Sequence, residues 1–181
     1  MTYDSRPDTQ AHIDRVFFLL EEARDNLYDR SLVHDQSKLE SPEKEMFDRA
    51  TERLRGLEYG SEEYKQSLKD LGPALNHHYA HNSHHPEYYC MIGVEPVAID
   101  GVELKDTEEE VIVVPELVAS GHGINSMSLF DIIEMLVDWK AASERHATGD
   151  IYKSIEHNAT RFGMSDQLKQ IFINTAKEFG W

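Results

Sequence analysis

Five histidines crowd into nine positions of the chain, at the start of the string HHYAHNSHHPEYY at residues 77–89. The whole chain has ten histidines, so half of them lie in this one stretch. Neutral imidazole is a common ligand of divalent transition metals, and so dense a cluster predicts a metal-binding element. The alternative is a polar segment that happens to be rich in histidine. Which of the two holds depends on the other motifs of the chain.

A second string, LVHDQSK at residues 32–38, places His34 and Asp35 side by side and Lys38 one helical turn later. Where the backbone turns, adjacent His and Asp side chains can reach the same cation, and this pair suits a divalent first-row metal. Lys38 can then neutralise a phosphate oxygen or orient the aspartate. His12 is a further candidate ligand, although a histidine near a helix start is more often a polar cap.

The string DIIEMLVDW places Asp131, Glu134 and Asp138 on one face of a helix. Acids at the edge of an apolar stripe cost desolvation energy unless something pairs them, and a metal ion would do so. We favour the metal for Asp138, which lies deep in the helix. Asp131 lies near the helix start, where a carboxylate interacts favourably with the helix dipole.

The elements that must position these groups are mainly helical. Residues 8–29 predict a helix with one buried apolar stripe, formed by Ile13, Val16, Phe17, Leu20, Ala23 and Leu27. Further helices are predicted at residues 42–57, from 61, at 74–84, from Ser128 onward, at 150–162 and at 165–179. Two β-branched runs around Asp100-Gly101 predict an inserted β-hairpin at 92–117. The sequence therefore predicts a mainly α single domain over residues 1–181.

Composition limits the possible partners. The chain has 18 basic and 34 acidic residues, a net charge of −16, which disfavours binding to a nucleic-acid duplex. It contains no apolar run of about 18 residues and no signal peptide, so we expect no membrane contact. The lone Cys90 fits a cytoplasmic location. A small molecule is the expected partner, and a homodimer is compatible with the sequence.

These motifs together resemble the HD-domain superfamily, whose members are mainly metal-dependent phosphohydrolases with ligands in the order His, His-Asp, Asp. The resemblance lies in His12, His34-Asp35 with Lys38, and Asp138 in VDWKAA. The chain is also similar to an uncharacterised bacterial and phage HD-like family. That similarity rests on HDQSK at 34–38, HHYAHNSHHPEY at 77–88 and EMLVD at 134–138, and covers roughly residues 10–145.

The resemblance implies an HD-domain-like helical bundle that hydrolyses a nucleotide or a related phosphate ester. One or two divalent ions (Mn, Fe, Co, Ni or Zn) would be bound by His12, His34, Asp35 and Asp138. The histidine cluster would supply His77 or His78 together with His84 or His85. In this assignment His78 and His85 bind a metal ion, whereas His77 and His84 stabilise the negative charge on the phosphoryl oxygens. Lys38 would share that last role, and Glu134 would take a proton from water or hold a ligand in place.

The remaining residues of the cluster have lesser predicted roles. If the helix continues to residue 84, His77, His81 and His84 share one face. Asn82 and Glu87 are expected to orient imidazoles, His81 to lie at the surface, and Tyr88 and Tyr89 to belong to the core. The C-terminal cations are expected to form surface salt bridges; they are Lys140, Arg145, Lys153 and Arg161.

Two other functions stay open at this point. Some HD-fold proteins hold two irons and use oxygen to cleave carbon bonds, and a site rich in histidine and carboxylate suits iron too. A non-catalytic protein of phage origin that binds a nucleotide or inhibits a host protein is the other alternative. The inserted hairpin would act as a lid or as an oligomer contact.

Overall fold

The computed structural model describes residues 3–55, 63, 66, 71–94, 110–145 and 149–181. The chain divides into two compact units, Met1–His34 and Asp35–Trp181. The described residues are mainly helical, which confirms the predicted class. No helix among them combines the length and the apolar character needed to cross a membrane. The single domain over residues 1–181 stays a prediction.

The first unit is helix α1, Arg6–Val33. Pro7 lies in its first turn, where proline is favoured because its missing N–H leaves no bond unmade. The helix is longer at both ends than predicted. The predicted burial of its apolar stripe is wrong, because no residue of α1 is buried. Phe17 and Leu20 of that stripe are 56 % and 65 % exposed. A single helix has no second layer of its own against which to bury a stripe.

The second unit begins with a 3-10 helix at Gln36–Leu39, followed by α2, Glu43–Arg55, and α3, Gly72–His81. A second 3-10 helix, Pro86–Cys90, leads into strand β1, Met91–Val94. Strand β2, Glu110–Val113, precedes two short helices, α4 at Pro115–Ala119 and α5 at His122–Ser126. Helices α6, Leu129–Ser143, α7, Ile151–Arg161, and α8, Asp166–Phe179, complete the unit.

The predicted β-hairpin at 92–117 is not supported as a whole. Strands β1 and β2 pair antiparallel, with Met91 opposite Val113. Residues 95–109, which include the predicted turn at Asp100-Gly101, lie outside the described residues. Residues 115–117 belong to helix α4 and not to a strand, because Pro115 begins that helix and cannot extend a strand ladder.

Most of the core of the second unit comes from helices α6, α7 and α8. Met135, Ile155 and Phe172, one from each helix, are at most 1 % exposed. Trp139 stacks on Phe162 with ring centroids 6.0 Å apart, which extends this core towards the end of α7. Each of the three helices begins with a capping side chain that accepts from backbone N–H groups: Ser128, Asp150 and Ser165. This core fixes the position of α6, the helix that carries Glu134 and Asp138.

A smaller cluster joins α2 to α3. Ala50 of α2 packs with Leu71 and Ala74 at the start of α3. The pairing brings Glu43, in the first turn of α2, to the side chains of His77 and His78 on α3. One half of the site described below therefore depends on this helix pair.

The histidine stretch leaves the helix earlier than the sequence predicted. Helix α3 ends at His81, and Asn82 has extended backbone with φ −128° and ψ 96°. His84 therefore does not continue the helical face of His77 and His81, which corrects that prediction. The following 3-10 helix is held closely by α5, where a Cβ on Gly123 would meet the Pro86 carbonyl oxygen at 2.2 Å. Only glycine permits this approach of two backbones.

Candidate metal centre

Asp35 lies at a sharp backbone turn. Its φ of 56° is the one positive value at a non-glycine residue within the described chain. Aspartate tolerates this left-handed conformation better than most residues, and such conformations concentrate at functional sites. Lys38, one turn later, donates from Nζ to Asp35 Oδ2 at 2.6 Å. Because Lys38 holds Oδ2, the other oxygen, Oδ1, is the one that faces the histidines.

Three imidazoles converge on Asp35. His78 Nε2 lies 3.3 Å and His84 Nε2 lies 3.5 Å from Asp35 Oδ1. His85 Nε2 lies 3.0 Å from His78 Nε2. Each of the four residues offers one ligand atom, and these atoms all lie within 4.8 Å of one another. His78 and His84 are only 1 % and 2 % exposed, whereas Asp35 and His85 are partly buried, so the cluster reaches from the interior of the second unit towards its surface.

The spacing of these atoms fits a single cation. Metal–nitrogen bonds of about 2.0–2.1 Å put neighbouring ligand atoms about 3.0 Å apart at right angles and about 3.4 Å apart in a tetrahedron. The contacts between His78, His85, His84 and Asp35 span 3.0–3.5 Å. Two nitrogen lone pairs at 3.0 Å repel each other unless a proton or a cation lies between them. Imidazole with carboxylate suits Zn, Fe, Mn, Co or Ni.

Two carboxylates determine which imidazole nitrogen carries the proton. Glu43 Oε2 lies 3.0 Å from His78 Nδ1, and Glu134 Oε1 lies 3.2 Å from His84 Nδ1. A carboxylate that is ionised only accepts hydrogen bonds, so an Nδ1 that pairs with one is the donor. The lone pair of each ring is then on Nε2 and is directed at the cluster. Carboxylates that hold metal-bound histidines in this way are a general feature of metal sites.

Glu43 is the residue of this site that the sequence interpretation missed. Its side chain is 0 % exposed, and its oxygens contact His77 Nδ1 at 2.7 Å and His78 Nδ1 at 3.0 Å. Ser37 Oγ donates to Glu43 Oε2 at 3.0 Å. In the sequence Glu43 was assigned only to a helix start, because its partners lie 34 and 35 positions away. No local spacing marks such a contact.

His77 lies beside the four-residue cluster and not within it. Its Nδ1 contacts Glu43 Oε1, its side chain is 30 % exposed, and its ring stacks on His81 at 4.1 Å. His81 is exposed, as predicted. The sequence left open whether His77 or His78 belongs to the site. Of these two residues, His78 is the one whose Nε2 lies next to Asp35 Oδ1.

The two residues expected to orient imidazoles behave differently. Asn82 donates from Nδ2 to the His78 carbonyl oxygen at 2.8 Å and to Ser37 Oγ at 2.9 Å, so it lies against His78. Glu87, by contrast, is paired with Arg161 and not with an imidazole. The prediction for Glu87 is wrong because its buried carboxylate is paired with the Arg161 guanidinium of α7.

Helix α6 brings further carboxylates to the centre. Glu134 holds His84, and Asp138, one turn later, has a ligand atom within 4.8 Å of one on Asp35. Asp131, one turn earlier, forms a capping box with Ser128, which confirms its predicted role at the helix start. Its burial raises the pKa of Asp131, but hydrogen bonds from Ser128, Ser83 and Tyr89 outweigh that effect and lower the pKa to about 2.

The environment of His85 favours its neutral form. Burial lowers the pKa of His85 well below its usual value, and the His84 and His78 imidazoles and Lys38 lower it further, against the opposite effect of Asp35. A neutral imidazole has a lone pair to offer a metal, whereas a protonated one has none. His85 therefore has the protonation state that a ligand requires.

His12 and His34 belong to the first unit. His12 is an exposed residue of α1, and His34 ends that helix directly before Asp35 in the chain. Both remain predicted ligands.

The predictions for the tyrosines have mixed outcomes. Tyr89 donates to Asp131 and packs against the core, as predicted, whereas Tyr88 is 40 % exposed. Of the C-terminal cations, Lys140 forms the expected surface ion pair with Glu144, whereas Arg161 pairs with the buried Glu87.

The second unit thus defines a helical protein with a candidate histidine–carboxylate metal centre. A family model described as a family of unknown function, DUF5662, matches residues 1–178, and the chain belongs to that family. No curated protein and no solved structure matches the chain.

Proposed function

We propose that this protein is a metal-dependent phosphohydrolase acting on a nucleotide or a related phosphate ester. The observation that carries the proposal is the cluster of Asp35, His78, His84 and His85, in which the His78 and His84 Nε2 atoms lie 3.3 and 3.5 Å from Asp35 Oδ1 and carboxylates hold both of these rings. The motif resemblance to HD-domain phosphohydrolases supports the phosphoryl substrate. The proposed ligands are Asp35, His78, His84 and His85, together with the sequence-predicted His12, His34 and Asp138.

A divalent ion at such a site polarises a phosphoryl oxygen and lowers the pKa of a water molecule. The protein's own groups then divide the remaining work. Lys38 keeps Asp35 Oδ2 occupied, so that Oδ1 stays directed at the histidines. The Lys38 side chain is one-third exposed, so its charge is also open to an anionic substrate in a chain whose net charge is −16. His77, which is 30 % exposed beside the cluster, and His84 are the other residues predicted to stabilise phosphoryl charge. The position of His84 Nε2, 3.5 Å from Asp35 Oδ1, supports a ligand role for His84 instead.

Glu134 has two predicted roles that an experiment can separate. Its contact with His84 Nδ1 supports the role of holding that ring. If this is its only role, Glu134→Gln weakens metal binding and leaves the shape of the pH–rate profile unchanged. If Glu134 is the general base, the variant keeps its metal, loses activity and loses the acidic limb of the profile.

An iron-dependent oxygenase is the second candidate. The number of ligand atoms favours this class. The cluster already provides four ligand atoms, and the carboxylates of Glu134 and Asp138 lie beside it. Nitrogen and carboxylate ligands in excess of one ion's needs suit a pair of irons. Tight iron binding with a near-visible absorption band, and no phosphate release, would support this class over the hydrolase.

The first experiment is the metal content of protein purified without a histidine tag, measured by elemental mass spectrometry. We expect about one or two equivalents of a divalent transition metal, lost in Asp35→Ala and His84→Ala. His157→Ala is the matched control, since His157 is exposed on α7. Equal metal content in Asp35→Ala and wild type would refute the site.

The second experiment is a panel of nucleotides and simple phosphate esters, assayed for phosphate release with Mn²⁺, Fe²⁺, Co²⁺, Ni²⁺ or Zn²⁺ added. We expect turnover of at least one member by wild type and none by Asp35→Ala. A metal-loaded protein that binds nucleotides tightly without turning over any of them would overturn the hydrolase and favour a non-catalytic binding protein.

A further inference from the structure

Two imidazoles of helix α3 form a pair beside the buried centre. His77 and His81 lie four positions apart on that helix, so their side chains share one of its faces. Their rings are stacked, with centroids 4.1 Å apart and planes 22° from parallel. Both residues belong to the second unit, as does Glu43, which contacts His77. The pair is therefore defined by contacts within one compact part of the chain.

The partner of each Nδ1 determines where the lone pair of each ring lies. His81 Nδ1 lies 2.7 Å from the His77 carbonyl oxygen. A carbonyl oxygen only accepts hydrogen bonds, so this Nδ1 carries a proton, and in the neutral ring the lone pair is on Nε2. His77 Nδ1 lies 2.7 Å from Glu43 Oε1, and donation to that carboxylate leaves the lone pair of His77 on Nε2 as well.

Two such lone pairs on one helical face can chelate a divalent transition metal. Histidines four positions apart supply two zinc ligands in the HExxH motif, and the string HHYAH at 77–81 has the same spacing. Metal–nitrogen bonds of about 2.1 Å allow two nitrogens of one ion to be up to about 4.2 Å apart. Rings stacked at 4.1 Å are close to this separation, so a small rotation of either ring directs both lone pairs at one ion.

Glu43 connects this pair to the buried centre and keeps the two apart. Its Oε1 contacts His77 Nδ1, and its Oε2 contacts His78 Nδ1 at 3.0 Å. The two adjacent rings thus turn their Nδ1 atoms to one carboxylate and have different neighbours otherwise. His78 Nε2 lies 3.3 Å from Asp35 Oδ1, whereas the His77 ring lies against His81. One buried carboxylate can therefore hold one ligand of each of two separate ions.

We propose that His77 Nε2 and His81 Nε2 bind a second divalent transition ion, separate from the buried centre. Imidazole nitrogen suits Zn²⁺, Ni²⁺ and Cu²⁺. The two nitrogens fill two coordination positions and leave the others to water or to an anionic ligand. The inference rests neither on the proposed catalytic activity nor on an ion at Asp35. It gives His81 a binding role that the sequence did not predict.

The test is Ni²⁺ binding by the full chain without a histidine tag, measured by isothermal titration. Asp35→Ala, which removes a ligand of the buried centre, is compared with Asp35→Ala/His81→Ala. We expect the double variant to lose affinity by about 100-fold or more, because one imidazole then binds in place of two. Asp35→Ala/His122→Ala is the matched control and should keep its affinity, since His122 is an exposed histidine of α5. Both arms lack Asp35, so the result does not depend on whether the buried centre holds an ion.

Equal affinity in Asp35→Ala and Asp35→Ala/His81→Ala overturns the proposal, and so does an equal loss in the His122 control. If these variants do not fold, nuclear magnetic resonance of the wild-type chain provides the same comparison. Stepwise addition of paramagnetic Ni²⁺ should broaden the ring signals of His77 and His81 together, before those of the exposed His122 and His157. His81 ring signals that persist once the His122 signals have broadened overturn the proposal equally.

Discussion

Two buried clusters of polar groups lie one helical turn apart along α6 and have opposite chemistry. At the start of the helix, Asp131 accepts hydrogen bonds from Ser83 Oγ at 2.7 Å, Tyr89 OH at 2.9 Å and the Ser128 backbone N–H at 2.9 Å. One turn on, Glu134 holds His84, whose Nε2 is directed at Asp35 Oδ1. The first carboxylate is surrounded by donors, whereas in the second cluster two imidazole Nε2 atoms face a carboxylate oxygen.

This difference separates a structural carboxylate from a candidate metal site. Around Asp131 the hydrogen bonds are complete within the protein, and the ion is stabilised without any ligand. Around Asp35, the Nε2 atoms of His78 and His84 and the carboxylate oxygen are all acceptors when Glu43 and Glu134 accept hydrogen bonds from the Nδ1–H groups. A cation is the group that satisfies several converging acceptors at once. Burial alone would not distinguish the two clusters.

Removing Asp35 should have the largest effect. Asp35→Ala takes away the carboxylate beside the Nε2 atoms of His78 and His84, so we expect metal affinity to fall by more than the roughly 100-fold that loss of an outer partner causes. Elemental analysis and phosphate release measure the two consequences. A variant that keeps metal but loses activity would show that Asp35 serves catalysis and not binding.

Removing Asp131 should instead cost stability. Asp131→Ala breaks the cap of α6 and leaves Ser83 and Tyr89 without their acceptor, so we expect the free energy of unfolding to fall by about 2–4 kcal/mol. Urea denaturation measures this loss. The metal content of the folded fraction should equal that of wild type, and a loss of metal would erase the contrast between the two clusters.

Substituting Glu43 tests whether the outer carboxylates matter. Glu43→Gln cannot accept from two Nδ1–H groups as an anion does, and we expect metal affinity to fall about 10- to 100-fold. The matched control is Glu45→Gln, which alters an exposed residue two positions later. Isothermal titration with Zn²⁺ or Mn²⁺ measures both. Equal affinity in the two variants would mean that Glu43 serves only the packing of α2 on α3.

The smallest predicted effect is the acid sensitivity of the Asp131 cluster. The pKa of Asp131 is about 2 in the folded protein, below its ordinary 3.8. The corresponding stability, about 2 kcal/mol, is fully present above about pH 4 and is lost as the pH falls towards 2. Urea midpoints for wild type and Asp131→Asn should therefore converge as the solution is acidified. A constant gap between them would contradict the assignment.

Local patterns in the sequence determined the helical class, several helix starts and part of the site. Each of these features depends on residues only a few positions apart. They are the His34-Asp35 pair after Leu32-Val33, Lys38 one turn later, and the carboxylates spaced along α6. Capping by Ser128 and the role of Asp131 at the helix start are equally local. Backbone geometry links such residues directly, which is why spacing alone predicts them.

Only the tertiary structure decided which histidines converge. Helix α3 stops at His81, the chain turns back, and His84 and His85 meet His78 beside Asp35, while His77 is left with Glu43. Glu43 itself comes from a different helix, held by the packing of Ala50 against Ala74. Helix α1 illustrates the opposite situation. Its sequence predicts which residues form the apolar stripe, but it does not predict what packs against that stripe. Periodicity records which face of an element is apolar, whereas the choice of partner depends on how distant elements pack.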